Sequence, residues 1–108
     1  MTSLPSFEYA TDSAPTSKSV VIAAKVSTKR QIRKATFINN SGAPMTFDLY
    51  INPAGTKEIL FLPNKQLADK ETWSCIDLEG QVIEPNGTLS LDASVGNMAV
   101  SIASIRIT

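Results

Sequence analysis

From Gln81 to Thr108 the chain passes through three short alternating segments divided by turn residues, a texture that suits an antiparallel sheet and little else. In Gln81-Val82-Ile83-Glu84-Pro85-Asn86-Gly87-Thr88, the pair Asn86-Gly87 suits a turn with positive φ. Leu89, Leu91 and Ala93 then fall on one face. The same texture continues upstream. Met45, Phe47, Leu49 and Ile51 alternate with Thr46, Asp48, Tyr50 and Asn52, the period of a half-buried strand, behind the turn Asn40-Ser41-Gly42-Ala43-Pro44. Further strands are expected over residues 19–26, 31–39, 58–62, 72–78, 81–84, 88–93 and 98–107, with 63–70 as a proline-led loop.

In the last of these, Met98, Val100 and Ile102 share one parity while Ile105 and Ile107 share the other. A bulge or bend near Ala103-Ser104 is expected to keep both sets in the core. Turn signals every 8 to 12 residues without an amphipathic helix predict an all-β fold, a single antiparallel β-sandwich of Greek-key or jelly-roll type with about eight strands. At 108 residues there is room for one such domain, expected over 19–108.

Residues 1–18 are rich in Ser, Thr, Ala and Pro and carry no sustained period, so they read as an extended or flexible N-terminal arm. Leu4, Phe7 and Tyr9 are its large apolar groups and the candidate anchors on a neighbouring molecule. The competing reading is a frayed terminus with no role.

Zero net charge conceals an asymmetry: six cations oppose two acids up to Phe47, and four oppose eight beyond it, so +4 faces −4. Lys25, Lys29, Arg30, Arg33 and Lys34 form the densest cluster. It lacks interleaved aromatics and sits on a neutral chain, so an acidic protein surface is its expected partner and nucleic acid is not. Solvated strand faces are the bland alternative.

The chain contains no histidine, which removes the commonest general base and metal ligand. Carboxylate pairs such as Asp69/Glu71, Asp77/Glu79 and Glu84/Asp92 are expected by chance among ten acids, so no enzymatic activity, metal or cofactor is expected. Cys75 stands alone and reads as a small strand residue. The five glycines sit singly in turns and form no phosphate cradle. Asn39-Asn40-Ser41 and Asn86-Gly87-Thr88 match the glycosylation pattern but read as turn chemistry. Trp73, Tyr50 and Phe61 beside Asp48, Asn52 or Asn64 are the candidates for a carbohydrate platform, with core packing the more common fate of a lone tryptophan. A secretory signal and a run of about 18 apolar residues are both missing, so a cytoplasmic site of synthesis and no membrane partner are expected.

The run Ile32-Arg33-Lys34-Ala35-Thr36-Phe37-Ile38-Asn39-Asn40-Ser41-Gly42 and its continuation Phe47-Asp48-Leu49-Tyr50-Ile51 resemble small β-sandwich virion proteins of tailed bacteriophages. So do Val82-Ile83-Glu84-Pro85-Asn86-Gly87 and the closing strand Val100 to Ile107. The resemblance spans residues 26–108. It implies a structural particle component without catalysis, of the capsid cement or decoration type, bound to the major capsid protein on the capsid exterior and to itself as a dimer or trimer. The alternative it leaves open is a tail, neck or fibre module for carbohydrate adsorption.

Overall fold

The computed structural model describes residues 6–24, 28–54 and 57–107, with side chains from Tyr9 onward. Nine strands are present among them: β1 (Ser6–Thr11), β2 (Ser19–Ala23), β3 (Lys29–Asn39), β4 (Met45–Asn52), β5 (Ile59–Leu67), β6 (Thr72–Ser74), β7 (Val82–Ile83), β8 (Thr88–Ala93) and β9 (Met98–Ile107). A single 3-10 turn, Ile76–Leu78, separates β6 from β7.

All pairings are antiparallel and fall into two sheets. Sheet A has the order β1-β9-β3-β6, with β7 also on β3; sheet B has the order β2-β8-β4-β5. Successive strands switch repeatedly between the sheets, and this nested order is that of an eight-stranded jelly roll whose sixth strand is interrupted. β6 pairs with Thr36–Ile38 and β7 with Arg30–Gln31 of the same β3 edge, so the two pieces act as one broken strand.

Alternation dictates the packing. β4 buries Met45, Phe47, Leu49 and Ile51 and turns their neighbours outward, as its period requires. Leu89, Leu91 and Ala93 of β8 and Met98, Val100 and Ile102 of β9 line the same interior. Phe37 and Phe47 stack across the sandwich with ring centroids 4.6 Å apart, and Trp73 tilts against both at 6.0 and 6.1 Å. Trp73 is thus a half-buried packing residue at the core's margin. Cys75 is buried too, ahead of the 3-10 turn rather than within a strand.

Three expectations change. Part of the segment read as an arm, Ser6–Thr11, is a strand on the edge of sheet A, where β9 offers it a hydrogen-bonding partner. The sandwich therefore begins well before residue 19; Leu4 lies outside the described residues. The loop expected over 63–70 shortens, because β5 continues to Leu67. Pro63 is tolerated since β5 is an edge strand, and the pairing with β4 shifts register twice while Asn64 takes a φ of 45°.

The register irregularity expected near Ala103-Ser104 falls opposite those residues rather than in them. β9 runs through in consecutive register, with Ile102, Ala103 and Ser104 all buried, and its neighbours carry the extra residues, Glu8 in β1 and Arg33 in β3. The bulge at Arg33 lets Ile32 and Ala35, three apart in sequence, both face inward with no exposed surface. Ile105 and Ile107 consequently stay half-buried on the other face of β9.

Two side chains lock the ends. Asn39 is fully buried, its amide nitrogen 2.7 Å from the Ala43 carbonyl, 3.1 Å from that of Ala68 and 3.2 Å from that of Leu67. Its carbonyl oxygen accepts the Ser41 N–H at 2.9 Å. At the opposite turn Asn86, with φ 70°, takes the left-handed position expected of the Asn-Gly pair. Gly87 is needed for a different reason: a Cβ there would lie 2.5 Å from the Pro53 carbonyl oxygen and 2.7 Å from that of Asn52.

Candidate functional site

β3 begins with Lys29, Arg30 and, after Ile32, Arg33 and Lys34, so the cluster read from sequence occupies one end of one strand. Pairing with β9 brings a fifth cation there, since Arg106 is opposite Arg30 and Ile107 opposite Lys29. Lys25 lies outside the described residues. The corner is not uniform. Lys29 pairs with Glu84 at 3.4 Å, and Arg30 donates to the Ser104 hydroxyl through Nη2 at 2.9 Å. Arg33 donates to the side-chain oxygen of Gln31 at 3.1 Å and is exposed, as are Lys34 and Arg106. Like charges held on neighbouring strands repel, so this corner gains from any acidic surface brought against it.

Tyr9 does not join the cations: opposite Ile102, it packs against the core half-buried. Phe7 lies in β1 opposite Ala103. The anchors and the cations thus meet only through the strand β9 that they share.

A second surface is only partly legible in the sequence, which offers Tyr50 beside Asp48 but not their neighbours on other strands. On the outer face of sheet B, Asp48 of β4 stands directly opposite Asp92 of β8. Asp48 accepts the Asn64 N–H at 2.6 Å. Beside them runs a row across all four strands, Val20, Ser90, Tyr50 and Leu60. Val20 is 56% and Leu60 50% exposed. The Lys18 ammonium sits 5.0 Å from the Tyr50 ring centroid and is held by Glu58, whose hydrogen bond raises the lysine's pKa. Tyr50's own pKa is raised, first by desolvation and then by the Asp48 and Asp92 charges. The pairing of β4 with β8 creates this face, and only the alternation within each strand hinted at it.

The nominated carboxylate pairs do not converge on a reaction centre. Glu71 accepts the Ala68 N–H at 2.8 Å and shapes a turn, and Glu84 serves Lys29. Among the described residues no three His, Cys, Asp or Glu side chains gather as a metal site. Burial pushes the Cys75 thiol up, away from nucleophilic character. The Trp73 ring has Lys65 4.5 Å above it, which covers a surface that a sugar would need. No helix among the described residues is long and apolar enough to cross a membrane.

No protein-family model, curated protein or solved structure matches this chain.

Proposed function

We propose that the chain is a non-enzymatic structural protein of a tailed-phage particle, decorating the assembled lattice of a major capsid protein from the capsid exterior. The observation that carries this reading is the basic corner: Lys29, Arg30, Arg33, Lys34 and Arg106 gathered at one end of sheet A on a chain of zero net charge. Segregated charge on a neutral, small, rigid sandwich steers and registers docking on an acidic protein surface. A ligand that binds only the assembled lattice stabilises it by mass action, and many copies multiply a modest contact.

A second reading, carbohydrate adsorption in a tail, neck or fibre position, draws on one observation. Tyr50 projects from the outer face of sheet B beside the Asp48 and Asp92 carboxylates, groups able to stack on and hydrogen-bond a sugar. The lysine already lying over its ring makes this the weaker of the two.

Counting this protein by mass spectrometry in purified particles tests both. Hundreds of copies per particle are expected; a handful would favour the adsorption reading, and none would refute both. Arg33→Glu with Lys34→Glu should then strip the protein from particles without unfolding it. Removing residues 1–18 is a poor test of the arm because it deletes β1; removing residues 1–5 keeps every described strand.

A further inference from the structure

The outer face of sheet B has the makeup of a contact surface. Its middle row presents Val20, Tyr50 and Leu60, two of them at least half exposed, and the next row presents Asp48 and Asp92 side by side. Among the described residues no cation is paired with either carboxylate, since Lys18 is committed to Glu58. Apolar groups bordered by charge are the usual anatomy of a docking patch.

We infer that this face receives the basic corner of a second copy of the same chain, with Arg33 and Lys34, on the outer face of sheet A, of one copy against Asp48 and Asp92 of the next. Charge complementarity selects the partner. Two copies meeting face to face through sheet B would set four carboxylates against one another, which disfavours a symmetric pair. The complementary charges lie on the other sheet of the sandwich, at the bulged end of β3, and no acidic partner among the described residues occupies Arg33 or Lys34. The contact is therefore head to tail, and it propagates into a ring or an open chain.

Its size sets its strength. Four strands about 4.8 Å apart and roughly seven residues long present on the order of 450 Å² of projected face. That is well short of the roughly 800 Å² per partner of a stable complex, so the contact is weak and salt-sensitive. It gains weight where copies are held close together. The inference is independent of the particle role, because it concerns the purified protein alone.

Sedimentation velocity from micromolar to millimolar concentration, at low and at moderate salt, tests it. The expected result is concentration-dependent association at about 10 mM salt that weakens at least tenfold at about 0.1 M, as the screening length falls from about 30 to about 10 Å. Asp92→Lys and Lys34→Glu should each abolish association with unchanged circular dichroism and melting temperature, both side chains being at the surface. An equimolar mixture of the two variants should recover association, because each supplies the charge that the other lacks. A monomer at every concentration, or association that either substitution leaves unchanged, would overturn the inference.

Discussion

Asn39 concentrates more of the fold in one side chain than any other polar residue described. Its amide reaches carbonyls of the β3-β4 turn and of the chain leaving β5, while its oxygen holds Ser41. Asn39→Ala removes these bonds from a fully buried side chain, and a loss of about 1–3 kcal/mol by urea denaturation is expected. Gly87→Ala is expected to cost about 1–3 kcal/mol, since two of the contacting atoms are backbone carbonyl oxygens with little room to give and the third is the buried Ile83 side chain. The glycine was legible in the sequence as turn chemistry, but the reason for it was not. The close approach comes from Asn52 and Pro53, far away along the chain. Cys75, buried and with its thiol pKa raised, should react with a disulfide reagent only on the timescale of unfolding; rapid labelling of the native protein would contradict its placement.

At the level of strands, the sequence exposed what is local and hid what depends on pairing. β4 and β8 were readable because each places alternate apolar residues against a single core. β5 was cut short in the reading because a proline usually halts a strand, and nothing local says that Pro63 sits on an edge. The phase change in β9 was real as a pattern, yet its neighbours absorbed the irregularity. This makes a sharp prediction about β3. Deleting Arg33 removes only the extra residue, leaving Ile32 and Ala35 facing inward, and should cost under about 1 kcal/mol. Deleting Thr36 throws everything before it out of phase, turning Ile32 outward and Lys34 inward, and should cost at least about 3 kcal/mol. Thermal melts of the two deletions should separate widely, and equal losses would refute the bulge.

For the molecule as a whole, the fold class followed from turn spacing, but the jelly-roll order did not, because it is made of long-range pairings. The same divide runs through the surfaces. Four cations of the corner are neighbours in sequence; Arg106 and the Asp48-Asp92 face arise only when β9 meets β3 and β8 meets β4. Lys18 and Tyr50 span that face and link its outer strands, and both have raised pKa values. Their contribution is complete below their ordinary values of about 10 and is lost as pH climbs through the raised ones. Stability should therefore fall above about pH 10, and less steeply in a Tyr50→Phe, Glu58→Gln double variant, as equilibrium unfolding across pH 9–11 would measure. The position of β9 has one more implication. Synthesised last of the nine, it lies between β1 and β3, with Ser6 opposite Ser104. On the ribosome β1 must wait unpartnered, and β3 with one bare edge, until β9 has emerged. The sandwich closes only then, after a window when its strands are open to chaperones or to the wrong neighbour.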